Sequence, residues 1–370
     1  MRNIVTIIGA RPQFVKAAVL SRLIRSDQYK NDFSEYLVHT GQHYDENMSD
    51  VFFSEMSIPK PDANLMCGGM THGKMTGEML VRIEEILIER KPDYVVVYGD
   101  TNSTLAGSLA ASKLNIPLVH IEAGLRSYNK QMPEEQNRIV ADHLSTFLFC
   151  PTSTAVENLA KEGFDVTGNV PVSRDVPYVC DVGDIMLDAS LFYRQFVSTR
   201  PENDSVLTRC DIARPYWLFT LHRAENTDSP ERMKAIFDGL NAAKEYDIVF
   251  PLHPRTKKFI ESYHIRIGDH IRIIDPVGYF DMLELEQHCV GIVTDSGGVQ
   301  KEAVFFEKPC VTLRDQTEWV ETVSAGWNRL VGADTVKIID ALKKPWKGAK
   351  GNLYGDGSCG RKIVDTLKDY

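Results

Sequence analysis

Near-continuous apolar runs, separated by helical segments, constrain this chain more than any other feature. Ile4-Val5-Thr6-Ile7-Ile8, Tyr36-Leu37-Val38-His39, Tyr94-Val95-Val96-Val97-Tyr98 and Leu118-Val119-His120-Ile121 read as strands. Helical sequence is expected from about Pro12 to Arg25, Thr76 to Arg90 and Leu105 to Leu114. Strands apolar on both faces fit a parallel sheet covered on both sides by helices. A second series follows: Trp217 to Leu221, Asp247 to Leu252, Ile271 to Ile274, Gly291 to Thr294 and Cys310 to Leu313. Between the two series, Thr167 to Asp184 is rich in Gly, Pro, Val and Asp and reads as the crossing. The expectation is an α/β chain of two Rossmann-type, doubly wound domains with an interdomain cleft. The first covers 1–170 and the second 171–357, and a helix at about 358–370 packs back on the first.

Composition narrows the partners. A net charge of −9 over 370 residues argues against a broad nucleic-acid or acidic-membrane surface, so an anionic ligand needs a local positive site. No apolar run approaches a membrane span, and Arg11-Pro12 stops the opening run before it resembles a secretory segment. The seven cysteines are dispersed without a C-x-x-C pair, which predicts reduced thiols in the cytoplasm and neither a disulfide framework nor a metal site.

Ligands of open α/β sheets bind at the carboxyl ends of strands, which singles out a few turns. Thr294-Asp295-Ser296-Gly297-Gly298 ends a strand and opens a helix. The unpaired N–H groups and the dipole of that helix suit a phosphate, and the glycines allow close approach. An ordinary β-α turn favours the same residues. After the first strand, Arg11 and Lys16 can face an anion together, although Lys16 taken alone reads more readily as a solvated helix residue. Asp100 can be an acid/base group or a helix cap. Glu122 projects from a strand end and is too long for an ordinary cap. Of Glu134 and Glu135, one is expected only to start the helix that continues through Arg138. His222, with Arg223, ends a strand as an acid/base group, a phosphate contact or a satisfied core histidine. His253-Pro254-Arg255 ends the next strand as a further anion contact or a polar loop. Gly355 to Gly360 spells G-x-G-x-x-G, but without a preceding strand it reads as a turn before a terminal helix.

Together, Gly9-Ala10-Arg11-Pro12-Gln13-Phe14-Val15-Lys16, Gly99-Asp100-Thr101, His120 to Arg126, Pro133 to Arg138, His222 to Asn226 and Asp295 to Glu302 resemble the non-hydrolysing UDP-N-acetylglucosamine 2-epimerase family. The motifs run in order along nearly the whole chain. The resemblance implies a GT-B-like fold, a homodimer, a UDP-sugar substrate and no cofactor. It implies interconversion of UDP-N-acetylglucosamine and UDP-N-acetylmannosamine by elimination and re-addition of UDP through a 2-acetamidoglucal. By resemblance, Arg11, Ser296, Gly297, Gly298 and Glu302 bind the UDP portion. Lys16, Asp100, Glu122, Glu134 and His222 surround the sugar and diphosphate, and Arg138 orients the carboxylates.

Departures bear on the substrate. A UDP-contacting arginine of many relatives is Trp319 here, within Thr317-Glu318-Trp319-Val320-Glu321. Another nucleotide contact is Val277, and the base-pocket position is Met282. Gln42-His43-Tyr44-Asp45 lacks the second glutamine tied to allosteric activation in some relatives. Thr317 to Glu321 also resembles the subgroup acting on UDP-2,3-diacetamido-2,3-dideoxyglucuronic acid, the alternative substrate. Remoter alternatives are a hydrolysing 2-epimerase and a GT-B glycosyltransferase.

Overall fold

A computed structural model describes residues 1–42, 58–168, 171–212, 215–349 and 351–370. The His43-to-Asp45 departure lies outside them. The chain divides into one unit of Met1–Ala189 with Asn352–Tyr370 and another of Ser190–Gly351. The division falls inside the helix Ile185–Thr199, not at 170/171. The reason is the strand Tyr178–Asp181, which pairs in parallel with Phe147–Cys150 of the first sheet and carries the crossing segment with it.

The first unit holds a seven-stranded parallel sheet. Its strands are β1 (Arg2–Ile8), β2 (Phe33–His39), β3 (Ala63–Asn64), β4 (Tyr94–Tyr98), β5 (Leu118–Ile121), β6 (Phe147–Cys150) and β7 (Tyr178–Asp181). They lie in the order β3-β2-β1-β4-β5-β6-β7. Helices α1 (Arg11–Ile24), α2 (His72–Arg90), α3 (Asn102–Lys113), α4 (Pro133–Leu144) and α5 (Ser153–Lys161) connect them. All five residues of β4 are buried, as expected of a strand covered on both faces. The terminal helix Cys359–Asp369 turns Ile363, Val364 and Leu367 inward and packs on α1. Its first N–H groups, at Cys359 and Gly360, donate to the Asp188 carboxylate at 3.1 and 2.8 Å. A side chain of the protein thus occupies the anion position at that helix start.

The second unit repeats the plan with six parallel strands in the order β10-β9-β8-β11-β12-β13. They are β8 (Tyr216–Thr220), β9 (Asp247–Pro251), β10 (Ile271–Ile274), β11 (Gly291–Thr294), β12 (Cys310–Thr312) and β13 (Asn328–Leu330). Each sheet winds outward in both directions from a central pair, β1/β4 in the first and β8/β11 in the second. At these switch points neighbouring connections leave on opposite sides, which opens a crevice above the carboxyl ends of the strands. The turns carrying Arg11, Asp100, His222 and Ser296 all follow switch-point strands.

The central β8/β11 pair is tightly packed. A Cβ on Gly291 would lie 2.2 Å from the ring of Trp217, which is fully buried. Gly291→Ala is therefore expected to cost about 1–3 kcal/mol through overpacking. Thermal unfolding should show a lowered midpoint, and an unchanged one would contradict this packing.

Candidate active site

In the first unit, the turns after β1 and β4 are tied together by one buried side chain. Ala10 precedes α1 and offers no capping oxygen, so Gln13, three residues on, takes that role. Its Oε1 accepts from the N–H groups of Gly9 and Ala10 at 2.8 and 3.0 Å. Its Nε2 faces the Tyr98 carbonyl at 2.7 Å and the Thr101 and Thr104 hydroxyls at 2.9 and 3.0 Å.

Around this tie stand two ion pairs. Lys16 Nζ, on the buried side of α1, meets Glu122 Oε1 at 2.6 Å. Arg138 donates to Asp100 Oδ2 at 2.5 Å and lies 3.3 Å from Glu135. Glu122 stands just after β5 with φ of 71°, a left-handed backbone rarely adopted by a residue with a long side chain. Such strain persists where the surroundings over-determine it, and it clusters at functional sites. Asp100 is free to point into the cluster because Thr101 caps α3 instead, accepting from the N–H of Thr104. Desolvation raises the Asp100 pKa above the ordinary 3.8. Arg138 and Lys16 oppose this rise, while Glu122 and Glu134 add to it.

Beneath the cluster, His120 is wholly buried between the Asp142 carboxylate and the Gly99 carbonyl, each at 2.7 Å. Asp142 also accepts from Arg126 at 2.6 Å and from the N–H of Gly124. Burial alone would raise the Asp142 pKa, but His120 and Arg126 outweigh it and hold it below the usual range.

In the second unit, Asp295 is fully buried at the end of β11 and organises the turn after β8. It accepts from the N–H groups of His222 and Arg223 and from Asn226 Nδ2 at 2.9 to 3.3 Å. Its Oδ1 lies 3.4 Å from His222 Nδ1, on a ring that is 48% exposed. Loss of water lowers the His222 pKa below 6.5. Asp295 opposes that, while Arg223, His253 and Arg255 reinforce it. Helix α12 (Gly297–Phe305, with α6 to α11 and α13 to α15 numbered likewise in chain order from Ile185–Thr199) opens beside this basic group, and the Ser296 hydroxyl makes no capping bond to it. A Cβ on Gly297 would lie 2.5 Å from Glu318 Oε1, whereas one on Gly298 would meet nothing nearer than 4.0 Å. The N-terminal turn of α12 is therefore close to protein on one side and open on the other, as an anion seat requires.

The model of the UDP-N-acetylglucosamine 2-epimerase family matches residues 26–368. The chain belongs to that family. Its members are isomerases, and the similarity extends along the whole chain. The UDP-2,3-diacetamido-2,3-dideoxy-D-glucuronate 2-epimerase of Pseudomonas aeruginosa is 49% identical over 370 residues, covering 99% of each protein. The Methanocaldococcus jannaschii UDP-GlcNAc 2-epimerase, in its crystal structure with UDP-GlcNAc and UDP, superposes with a TM-score of 0.86 at 41% identity, covering 100% of each chain. The Phytolacca americana UGT2 structure shares the fold at a TM-score of 0.57 and 12% identity over 99% of this chain and 92% of that one. The fold is of the GT-B type.

The epimerase-like motifs group by unit. Lys16, Asp100, Glu122 and Arg138 form one cluster, and Glu134, exposed in the first turn of α4, lies within its field. Arg11 begins α1. Lys16 is 6% exposed, which excludes the solvated-helix reading. Glu135 is the structural acid: it is buried and accepts from Ser127 and Tyr128 N–H groups at 2.9 and 2.8 Å. His222, Ser296, Gly297 and Gly298 gather around Asp295, while Glu302 is buried further along α12 and Met282 lies on α11 (Tyr279–His288). Trp319, at the departure from the arginine of relatives, is buried with Lys301 Nζ 4.1 Å above its ring. Sequence reading missed Gln13, Asp142 and Asp295 as organisers. Each holds groups in a turn remote from it in sequence, so no local signal marked it. All seven cysteines are free. Among the described residues no helix is long and apolar enough to cross a membrane, and no His, Cys, Asp and Glu group could hold a metal ion.

The opposed influences on Asp100 can be separated by titration. Its carboxyl carbon, followed by NMR, should titrate above 3.8 in the wild type. Arg138→Leu should raise that value further and Glu122→Gln should lower it. Shifts of the opposite sign would show that these groups do not face Asp100.

Proposed function

We propose that the chain catalyses cofactor-independent, non-hydrolysing epimerisation at C2 of a UDP-linked N-acetylhexosamine, interconverting UDP-GlcNAc and UDP-ManNAc. The reading rests on one observation above the others. The two switch points of a chain of this family differ in chemistry, with two cation-paired carboxylates at one and an uncapped, glycine-opened helix start at the other.

The C2 hydrogen is not beside a carbonyl, so its removal is hard unless the anomeric C–O bond is already breaking. As that bond breaks, its electron pair goes to the β-phosphate oxygen of UDP. A carboxylate takes the C2 proton, and a C1–C2 double bond forms, giving the 2-acetamidoglucal. Reversal with the proton delivered to the other face completes the epimerisation. In this reading Asp100, Glu122 and Glu134 handle the protons, and Lys16 and Arg138 set their charge. A carboxyl whose pKa is raised, as at Asp100, is better matched to proton transfer near neutral pH. His222, with its basic neighbours and the α12 dipole, receives the charge developing on the departing diphosphate. Ser296, Gly297, Gly298, Glu302, Met282 and Arg11 hold the UDP portion. The reading includes a cytoplasmic homodimer, and the free thiols fit a reducing compartment.

A second reading of the sugar has specific support. Thr317-Glu318-Trp319-Val320-Glu321 and the 49% identity to the Pseudomonas aeruginosa enzyme favour the diacetamido uronic acid nucleotide over UDP-GlcNAc. Both nucleotides assayed side by side in heavy water test both points. Deuterium is expected at C2 of the product, and the nucleotide turned over faster identifies the sugar. Asp100→Asn and Glu122→Gln are each expected to lower kcat by at least ~100-fold while UDP still binds. Full retention of the original C2 hydrogen, or undiminished activity in both amide variants, would overturn the mechanism.

A further inference from the structure

His120, in β5, is a buried titratable group that the proposed mechanism leaves unused. It has no exposed surface. Its Nδ1 lies 2.7 Å from Asp142 Oδ1, and its Nε2 lies 2.7 Å from the Gly99 carbonyl oxygen. The carbonyl can only accept. Asp142 is engaged as an acceptor too, since its Oδ2 receives the Gly124 N–H at 3.1 Å and Arg126 at 2.6 Å. A neutral imidazole has one donor and one acceptor, so one of its nitrogens would turn a lone pair towards an oxygen. Only a ring protonated on both nitrogens makes both contacts at once.

The surrounding charges agree with that state. Arg126 binds Asp142 and, through Nε and a terminal nitrogen, holds Glu162 at 2.6 and 2.7 Å. With His120 as a cation, His120 and Arg126 face Asp142 and Glu162, and every charge has an opposite partner. With His120 neutral, Arg126 would serve both acids. His143, 3.3 Å from Glu162, stands at the exposed outer edge of this network.

The carbonyl that His120 grips lies where position matters. Gly99 has φ of 59° and turns the chain from β4 towards α3. Its N–H donates to the Ile121 carbonyl at 3.0 Å, so β5 holds this residue at both its N–H and its carbonyl. A Cβ on Gly99 would lie 3.3 Å from Glu122 Oε1 and 3.4 Å from Lys16 Nζ, which puts the turn directly against that ion pair. The next carbonyl, that of Asp100, accepts from the buried Asn137 at 2.9 Å. Asn137 sits on α4, the helix that also supplies Arg138 and Asp142. The backbone is therefore gripped by a buried side chain on each side of the Asp100 α-carbon.

We propose that His120 is a positioning residue: an imidazolium anchored by Asp142, it holds the Gly99 carbonyl and, with Asn137, fixes the backbone that aims Asp100 at the C2 hydrogen. This rests on the reading of Asp100 as a group that handles that proton. A charge-assisted hydrogen bond in a dry setting is stronger than a neutral one. A small displacement of an acid/base group costs rate without costing ligand affinity, because the near-attack geometry is narrow.

Two substitutions separate the two ring contacts. An asparagine amide reaches the place of Nδ1 and a glutamine amide that of Nε2. His120→Asn therefore keeps a donor for Asp142 and releases Gly99, whereas His120→Gln keeps the donor for Gly99. Both lose the ring cation, so the difference between them reads the Gly99 contact. Epimerisation and C2 hydrogen exchange in heavy water should show kcat lowered about 10- to 100-fold in His120→Asn. His120→Gln should recover a large part of that loss, and calorimetry should show UDP affinity unchanged in both. Proton–nitrogen spectra of wild type near neutral pH should show slowly exchanging N–H protons on both nitrogens of one ring, absent from both variants. Equal losses in the two variants, or a fall in UDP affinity parallel to kcat, would overturn the positioning role and leave the reading of Asp100 standing. A single ring N–H on His120 in wild type would overturn it even if neither variant folds. Undiminished exchange in Asp100→Asn would remove the reading of Asp100, and the positioning role with it.

Discussion

Two carboxylates, Asp100 and Glu122, share one end of a sheet because each has its own cation. Left alone, buried like charges raise one another's pKa until one is neutral. Lys16 at 2.6 Å from Glu122 and Arg138 at 2.5 Å from Asp100 prevent that collapse. Stranding either partner of such a pair costs about 3–5 kcal/mol when it is buried, so the four side chains stand or fall as a set. The backbone serves the same end. Gln13 ties the β1 and β4 turns, Thr101 relieves Asp100 of capping, and Glu122 is held in a left-handed conformation. The result is a carboxyl at Asp100 tuned by neighbours of both signs.

The second unit uses the same topology with the charges reversed. One buried acid, Asp295, orders the loop by accepting backbone N–H groups, while Arg223, His253 and Arg255 face His222. The start of α12 adds the unpaired N–H groups and dipole of its first turn, the feature on which the proposed diphosphate seat rests.

Much of this was legible in the sequence because buried parallel strands leave unbroken apolar runs. β4, β5, β10 and β11 fall where the runs predicted them. The short elements were not legible: β7 is four residues inside a Pro- and Gly-rich stretch, and β13 is three residues with Arg329 in its middle. Missing β7 misplaced the domain boundary, since its pairing with β6 is a non-local contact. At the site, local grammar identified the turns but not the partners. Whether Lys16 was solvated, or which of Glu134 and Glu135 was structural, depended on residues up to 106 positions away, such as Glu122. Gln13 had no signal of its own because three of its five partners lie in a second turn, 85 to 91 positions away.

The account depends most on transient departure of UDP, which the paired charge arrangements are proposed to make possible. Positional isotope exchange measures it directly. A UDP-sugar labelled with heavy oxygen in the bridge between the anomeric carbon and the β-phosphorus, incubated with the enzyme, should redistribute the label into non-bridging β-phosphate positions as the sugar epimerises. Epimerisation with the label held wholly in the bridge would show that the anomeric bond never breaks, and would contradict the account.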